Sequence, residues 1–143
     1  MNTFFNKFGF VTWQLPGIFL LTIAFWLNGI RIVKIMNYYS FWGGVGSIII
    51  YVLSFPVAFL AIKAVSKILK LTEKQVYPAI ILIVSLVGLL HGVALTYKPE
   101  MYRATGESLI FATAWIIWFC GATILTLFYI QQKDSPSEKI NQS

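Results

Sequence analysis

One imidazole, one thiol and five carboxylates are the conventional catalytic groups of this 143-residue chain. The imidazole is His91 and the thiol is Cys120. A lone cysteine has no intramolecular disulfide partner, and thiol–disulfide exchange needs a pair. A lone histidine cannot ligate a haem from both sides, and no His/Cys/Asp/Glu cluster has metal-ligand spacing. Glu73, Glu100, Glu107, Asp134 and Glu138 all fall outside the deep apolar runs. That placement speaks against a pump driven by a carboxylate within a span. No catalytic residue, metal or cofactor is expected, and the inventory leans against an enzyme.

The remaining polar chemistry sits inside apolar sequence, where each instance is informative. His91 lies about six residues, roughly 9 Å, from one end of its run. Asn28 lies about five residues from the corresponding end of the first run. Both are expected at one polar level facing the outer side, with Ser47, Tyr51, Thr113 and Trp115 at similar depth. There they would hold a ligand or hydrogen-bond one another between helices. Trp26, Trp115 and Trp118 are deep for tryptophan, which prefers the membrane interface. They either fill the core or line an aromatic cavity suited to a lipid, a quinone or a hydrophobic cation. The ligand-binding candidates are therefore His91, Asn28, Tyr51, Trp115 and Trp26.

Two sets of charges flank these runs. Lys63, Lys67, Lys70 and Lys74 recur at i, i+4, i+7 and i+11, one face of a helix. They suit anionic lipid headgroups, although snorkelling lysines that merely set topology are the plainer reading. Arg31, Arg103 and Glu107 form an outer rim with Lys34, Lys98 and Glu100. Arg103 and Glu107 are spaced to pair on a helical turn.

The elements that must position these residues follow from composition. Hydrophobic residues make up 58% of the chain and charged ones 11%, with a mean hydropathy of +0.76. Soluble domains carry about a quarter charged residues. The chain is therefore read as all-α and polytopic, a single domain over 1–130 with spans at about 15–33, 43–62, 77–97 and 108–130. Residues 131–143 read as a polar, disordered cytoplasmic tail. A soluble enzyme and a nucleic-acid partner are excluded despite a pI near 9.6. Pro16 and Pro78 suit first turns, and Pro56 is expected to kink the second span. Thr72-Glu73-Lys74-Gln75 is a capping-box pattern.

Short connections predict an up-down bundle with successive helices as antiparallel neighbours. Lys7, Lys63, Lys67, Lys70, Lys74, Lys133 and Lys139 fall on one side; Arg31, Lys34, Lys98 and Arg103 fall on the other. The positive-inside rule then places both termini in the cytoplasm. Gly88-x-x-x-Gly92 and Gly43-Gly44-x-Gly46 are expected close-packing faces, within the bundle or to a second copy. Four short spans are not expected to enclose a large cavity, so transport would call for a dimer. An offset of 63 residues brings Asn28-Gly29 onto His91-Gly92, a weak sign of a duplicated hairpin.

Leu89-Leu-His-Gly-Val-Ala-Leu95, Pro99-Glu-Met-Tyr102 and Ala114-Trp-Ile-Ile-Trp118 resemble the C-terminal half of small bacterial four-helix membrane proteins of unknown function. The resemblance implies an inner-membrane four-helix fold and no assigned activity. Small multidrug transporters share the size alone, since their first-span glutamate has no counterpart here. The expected function is a small-molecule or lipid-binding, transporter-like module in the inner (plasma) membrane, touching anionic headgroups. The alternative is an accessory subunit of a larger membrane complex.

Overall fold

A computed structural model of the chain describes residues 9–41 and 44–134. The described chain is all-helical. Helix α1 spans Gln14–Tyr38, α2 Gly44–Ile68, α3 Glu73–Tyr97 and α4 Glu107–Asp134; a 3-10 turn, Pro99–Tyr102, links α3 to α4. All four helices are long and apolar enough to cross a membrane. Each of the first three has 25 residues, or about 37 Å. The helices outrun the apolar segments because their flanks are good helix formers: Lys63–Ile68 extends α2 and Glu73–Val76 extends α3. For the same reason α4 takes in Gln131–Asp134, the start of the expected tail. The rest of that tail, with Lys7, Lys139, Trp42 and Gly43, lies outside the described residues.

The ends of the helices explain the turns. Past α2, Lys70 takes a left-handed φ of 48°, while Leu71 N–H donates to Ser66 O at 2.9 Å and Lys70 N–H to Lys67 O at 3.3 Å. This is a Schellman stop, which normally prefers glycine. It divides the lysine series, leaving Lys63 and Lys67 on α2 and Lys74 on α3, so the expected single stripe on one helix is not formed. Replacing Lys70 with glycine removes the left-handed strain and is expected to raise stability by about 1 kcal/mol, read as a higher unfolding temperature in detergent. Gln75 accepts from Thr72 N–H at 3.0 Å, as the capping-box pattern predicts. The early start of α3 moves Pro78 from the first turn into the second, and α2 runs unbroken through Pro56.

Lateral packing departs from the expected order. Helix α1 packs on α3, α2 on α4, and α3 on α4, whereas α1 and α2, joined by a short link, scarcely touch. Glycines let α1 approach α3 and its preceding turn: Gly17 lies under the Leu69 side chain and Gly29 under the His91 ring. At the Gln14 end, buried amides fasten the chain. Gln14 Nε2 donates to Leu69 O at 3.0 Å, Val11 N–H donates to Gln14 Oε1 at 2.9 Å, and Gln75 Nε2 donates to Gly9 O. Two apolar clusters hold the ends. One centres on Ile18, Ile62, Ile80 and Leu127; the other centres on Val33, Tyr102, Ala112 and Ile116. Between them the bundle is open.

Candidate functional site

His91 is 3% exposed, and its partner is not Asn28. Its Nδ1 lies 2.7 Å from the Tyr102 hydroxyl. By its place in the sequence Tyr102 suits an interface anchor, yet its side chain is completely buried. The 3-10 turn carries it inward: Pro99 opens the turn, and Arg103 closes it with a left-handed φ of 50°. Asn37 Nδ2 then ties the turn to α1, donating to Tyr102 O at 3.1 Å and Arg103 O at 3.3 Å. Burial pushes the Tyr102 phenol above its ordinary value of 10.0, against a smaller opposing effect of the Trp26 indole. That indole N–H is buried but falls short of hydrogen-bond geometry.

Beside His91 lies a cavity of about 400 Å³ to which all four helices contribute. The four helices do not enclose this space, which is open along one side. The gap exists because α1 and α2 do not close on each other. Its exposed lining residues, Asn28, Ile32, Leu53 and Val57, belong to α1 and α2, whereas the lining from α3 and α4 is buried or half-buried. The cavity therefore opens sideways between α1 and α2, not towards one end of the bundle. It also runs lengthwise: the lining on α2 extends from Ile50 to Val65, about 22 Å of helix.

The candidate residues divide around this space. His91, Asn28 and Trp115 line it. His91 Nε2 abuts Gly29. Asn28 is exposed at the opening and makes no hydrogen bond among the described residues. The Trp115 N–H is buried without a partner, and its ring lies 5.7 Å from that of Phe119. Trp26 packs instead into the core at the Tyr102 end. Tyr51 faces a separate shallow cleft between α2 and α4, where its ring meets Trp118 at 5.3 Å and its carbonyl accepts from Trp118 Nε1 at 3.1 Å. Ser47 and Thr113 donate to carbonyls of their own neighbourhood, Phe41 O and Leu109 O, so the expected common polar level reduces to His91, Asn28 and Trp115.

The outer rim also departs from expectation. Arg31, Arg103 and Glu107 are exposed, and Arg103 does not pair with Glu107. The left-handed turns at Arg103 and Gly106 interrupt the helix that would have aligned them. Lys98 and Glu100 form an exposed ion pair at 3.7 Å. Among the described residues there is no group of acids, histidine and cysteine that could hold a metal.

Sequence reasoning misses Gly29. The Gly88–Gly92 pair is the more conspicuous spacing, yet a β-carbon on Gly92 would meet nothing within 4 Å, and one on Gly88 would meet only Cys120 Sγ at 4.0 Å. Gly29 is the glycine that a helix presses against, and its place beside Asn28 in mid-span is the available signal. No family model, curated protein or solved structure matches this chain.

Proposed function

We propose that this protein is a membrane-embedded binding module for a small apolar or amphipathic molecule. In this reading the four helices span the inner (plasma) membrane with both termini in the cytoplasm, as the lysine and arginine distribution indicates. The split lysine cluster contacts anionic headgroups at that face. The single observation behind the function is the 400 Å³ cavity, which has largely apolar walls, the Asn28 amide at its rim and an opening between α1 and α2. Ligand sites are commonly about 300–1,000 Å³ and apolar, with a few convergent polar groups.

Native mass spectrometry of the protein from mild detergent tests the reading. A retained small molecule is expected in the wild type and not in Ala61→Phe, which adds bulk to the cavity wall from a half-buried position. Unfolding temperatures should match. A stoichiometric protein partner, with no small molecule in either form, would instead mark an accessory subunit of a membrane complex.

A further inference from the structure

We propose that the side of α1 turned away from α3 docks a membrane-spanning helix of another protein, one with a carboxylate inside its span, and that Arg31 pairs with that carboxylate. This rests on the spanning placement given above and not on what the cavity holds.

Burial defines the face. Helix α1 buries Ile18, Thr22, Gly29, Val33 and Met36. On its opposite side, at about 100° per residue, Leu20, Ala24, Leu27, Arg31 and Tyr38 recur at intervals of 4, 3, 4 and 7, and all are exposed. These intervals are those of a seam along which one helix meets another. Among the described residues no helix covers them, since α1 packs on α3 and scarcely touches α2.

An apolar stripe alone would be met by lipid, and Arg31 makes the difference. It is exposed and forms no ion pair or hydrogen bond among the described residues. Ionisable groups inside spans normally pair or face water. Arg31 stops seven residues short of Tyr38, the last residue of α1, or about 10 Å. A helix of about 37 Å crossing a hydrocarbon core about 30 Å thick then leaves Arg31 roughly 7 Å below the edge of that core.

Direction and depth together select the partner. Side chains lean towards the N-terminus of their helix, which turns Arg31 deeper and away from the headgroups at the Tyr38 end. Lys34, one turn nearer that end, is the cation placed to snorkel to a lipid phosphate. An acid for Arg31 must therefore lie within the apolar layer, on a protein helix. Asn28, exposed one turn back on α1, adds an amide N–H for the same carboxylate. A second copy of this chain does not supply the acid. Glu73 and Glu107 open α3 and α4, Glu100 lies in the 3-10 turn and Asp134 ends α4, so none of these stands inside a span.

The test reconstitutes the full chain, with a fluorescent donor on its C-terminal tail, in phosphatidylcholine vesicles. Two acceptor-labelled spanning peptides of leucine and alanine are added separately. They differ at one position about 7 Å inside one end of the apolar run, glutamate in one and glutamine in the other. Energy transfer should show the glutamate peptide associating about fivefold more tightly or better. Arg31→Gln should bring the two peptides within about twofold of each other, Arg31→Lys should keep part of the preference, and Lys34→Gln should leave it unchanged. Unfolding temperatures of the Arg31 variants should match the wild type, because Arg31 has no partner in the fold. Equal association of the two peptides overturns the proposal, as does a preference that survives Arg31→Gln. Two further outcomes overturn the choice of partner. Retention of phosphatidylglycerol in native mass spectra that Arg31→Gln abolishes, without a peptide preference, would give Arg31 to a headgroup. Energy transfer between donor- and acceptor-labelled copies of the chain that Arg31→Gln abolishes would give the face to a second copy.

Discussion

Gly29→Ala should destabilise the protein by roughly 2–4 kcal/mol, although it changes one hydrogen to a methyl group. A β-carbon there would stand 2.6 Å from His91 Nε2 and 2.7 Å from Cε1. The ring has little freedom to retreat, being 3% exposed and held through Nδ1 by Tyr102. Either α1 moves off α3 or the His91–Tyr102 contact breaks. Gly92→Ala is the matched control. No atom lies within 4 Å of its β-carbon position, so better helix propensity should make it neutral or stabilising by up to about 1 kcal/mol. Thermal unfolding of both variants in the same detergent, followed by tryptophan fluorescence, decides the matter. Equal effects at the two glycines would show that the α1–α3 approach is not set at Gly29.

Tyr102 carries the second large effect. Truncation to alanine empties a fully buried aromatic site and should cost about 3–5 kcal/mol. Tyr102→Phe keeps the ring but leaves His91 Nδ1 buried without a partner, at about 1–3 kcal/mol. If the hydrogen bond is responsible, His91→Leu combined with Tyr102→Phe should cost less than the two single changes added together. Strict additivity would remove the bond from the account. Alkali supplies an independent check. The folded phenol is raised above its unfolded value of 10.0, so its contribution is complete below that pH and is lost as pH climbs through the folded value. Wild type should lose stability above about pH 10 more steeply than Tyr102→Phe.

These effects also show what could be read before folding. The all-helical class, the four apolar segments and the Thr72–Gln75 cap were legible because each depends on local sequence: run length, hydropathy and a four-residue pattern. Helix ends were less legible. Charged flanks such as Lys63–Ile68 continue a helix as readily as they leave the apolar run, and only the left-handed turn at Lys70 stops α2. His91 and Asn28 stand out because polar groups are rare in apolar runs, but their partners were not predictable from equal depth. Depth gives a residue's level along the helix axis, and contact also depends on which way the helix is turned and which neighbour it meets.

That rotation and pairing are tertiary decisions. A helix that is apolar all round has no marked face, so its sequence does not say which side will be buried. Here small residues and one aromatic insertion choose. Gly17 and Gly29 bring α1 onto α3, the Tyr102 turn wedges beneath Asn37, and α2 is left to pair with α4. The sequence by itself determined that four apolar helices form and which few polar groups they carry. Only the packing decided that α1 and α2 stand apart, because in a uniformly apolar chain close approach is set by side-chain volume at a handful of contacts and not by hydrophobic pattern.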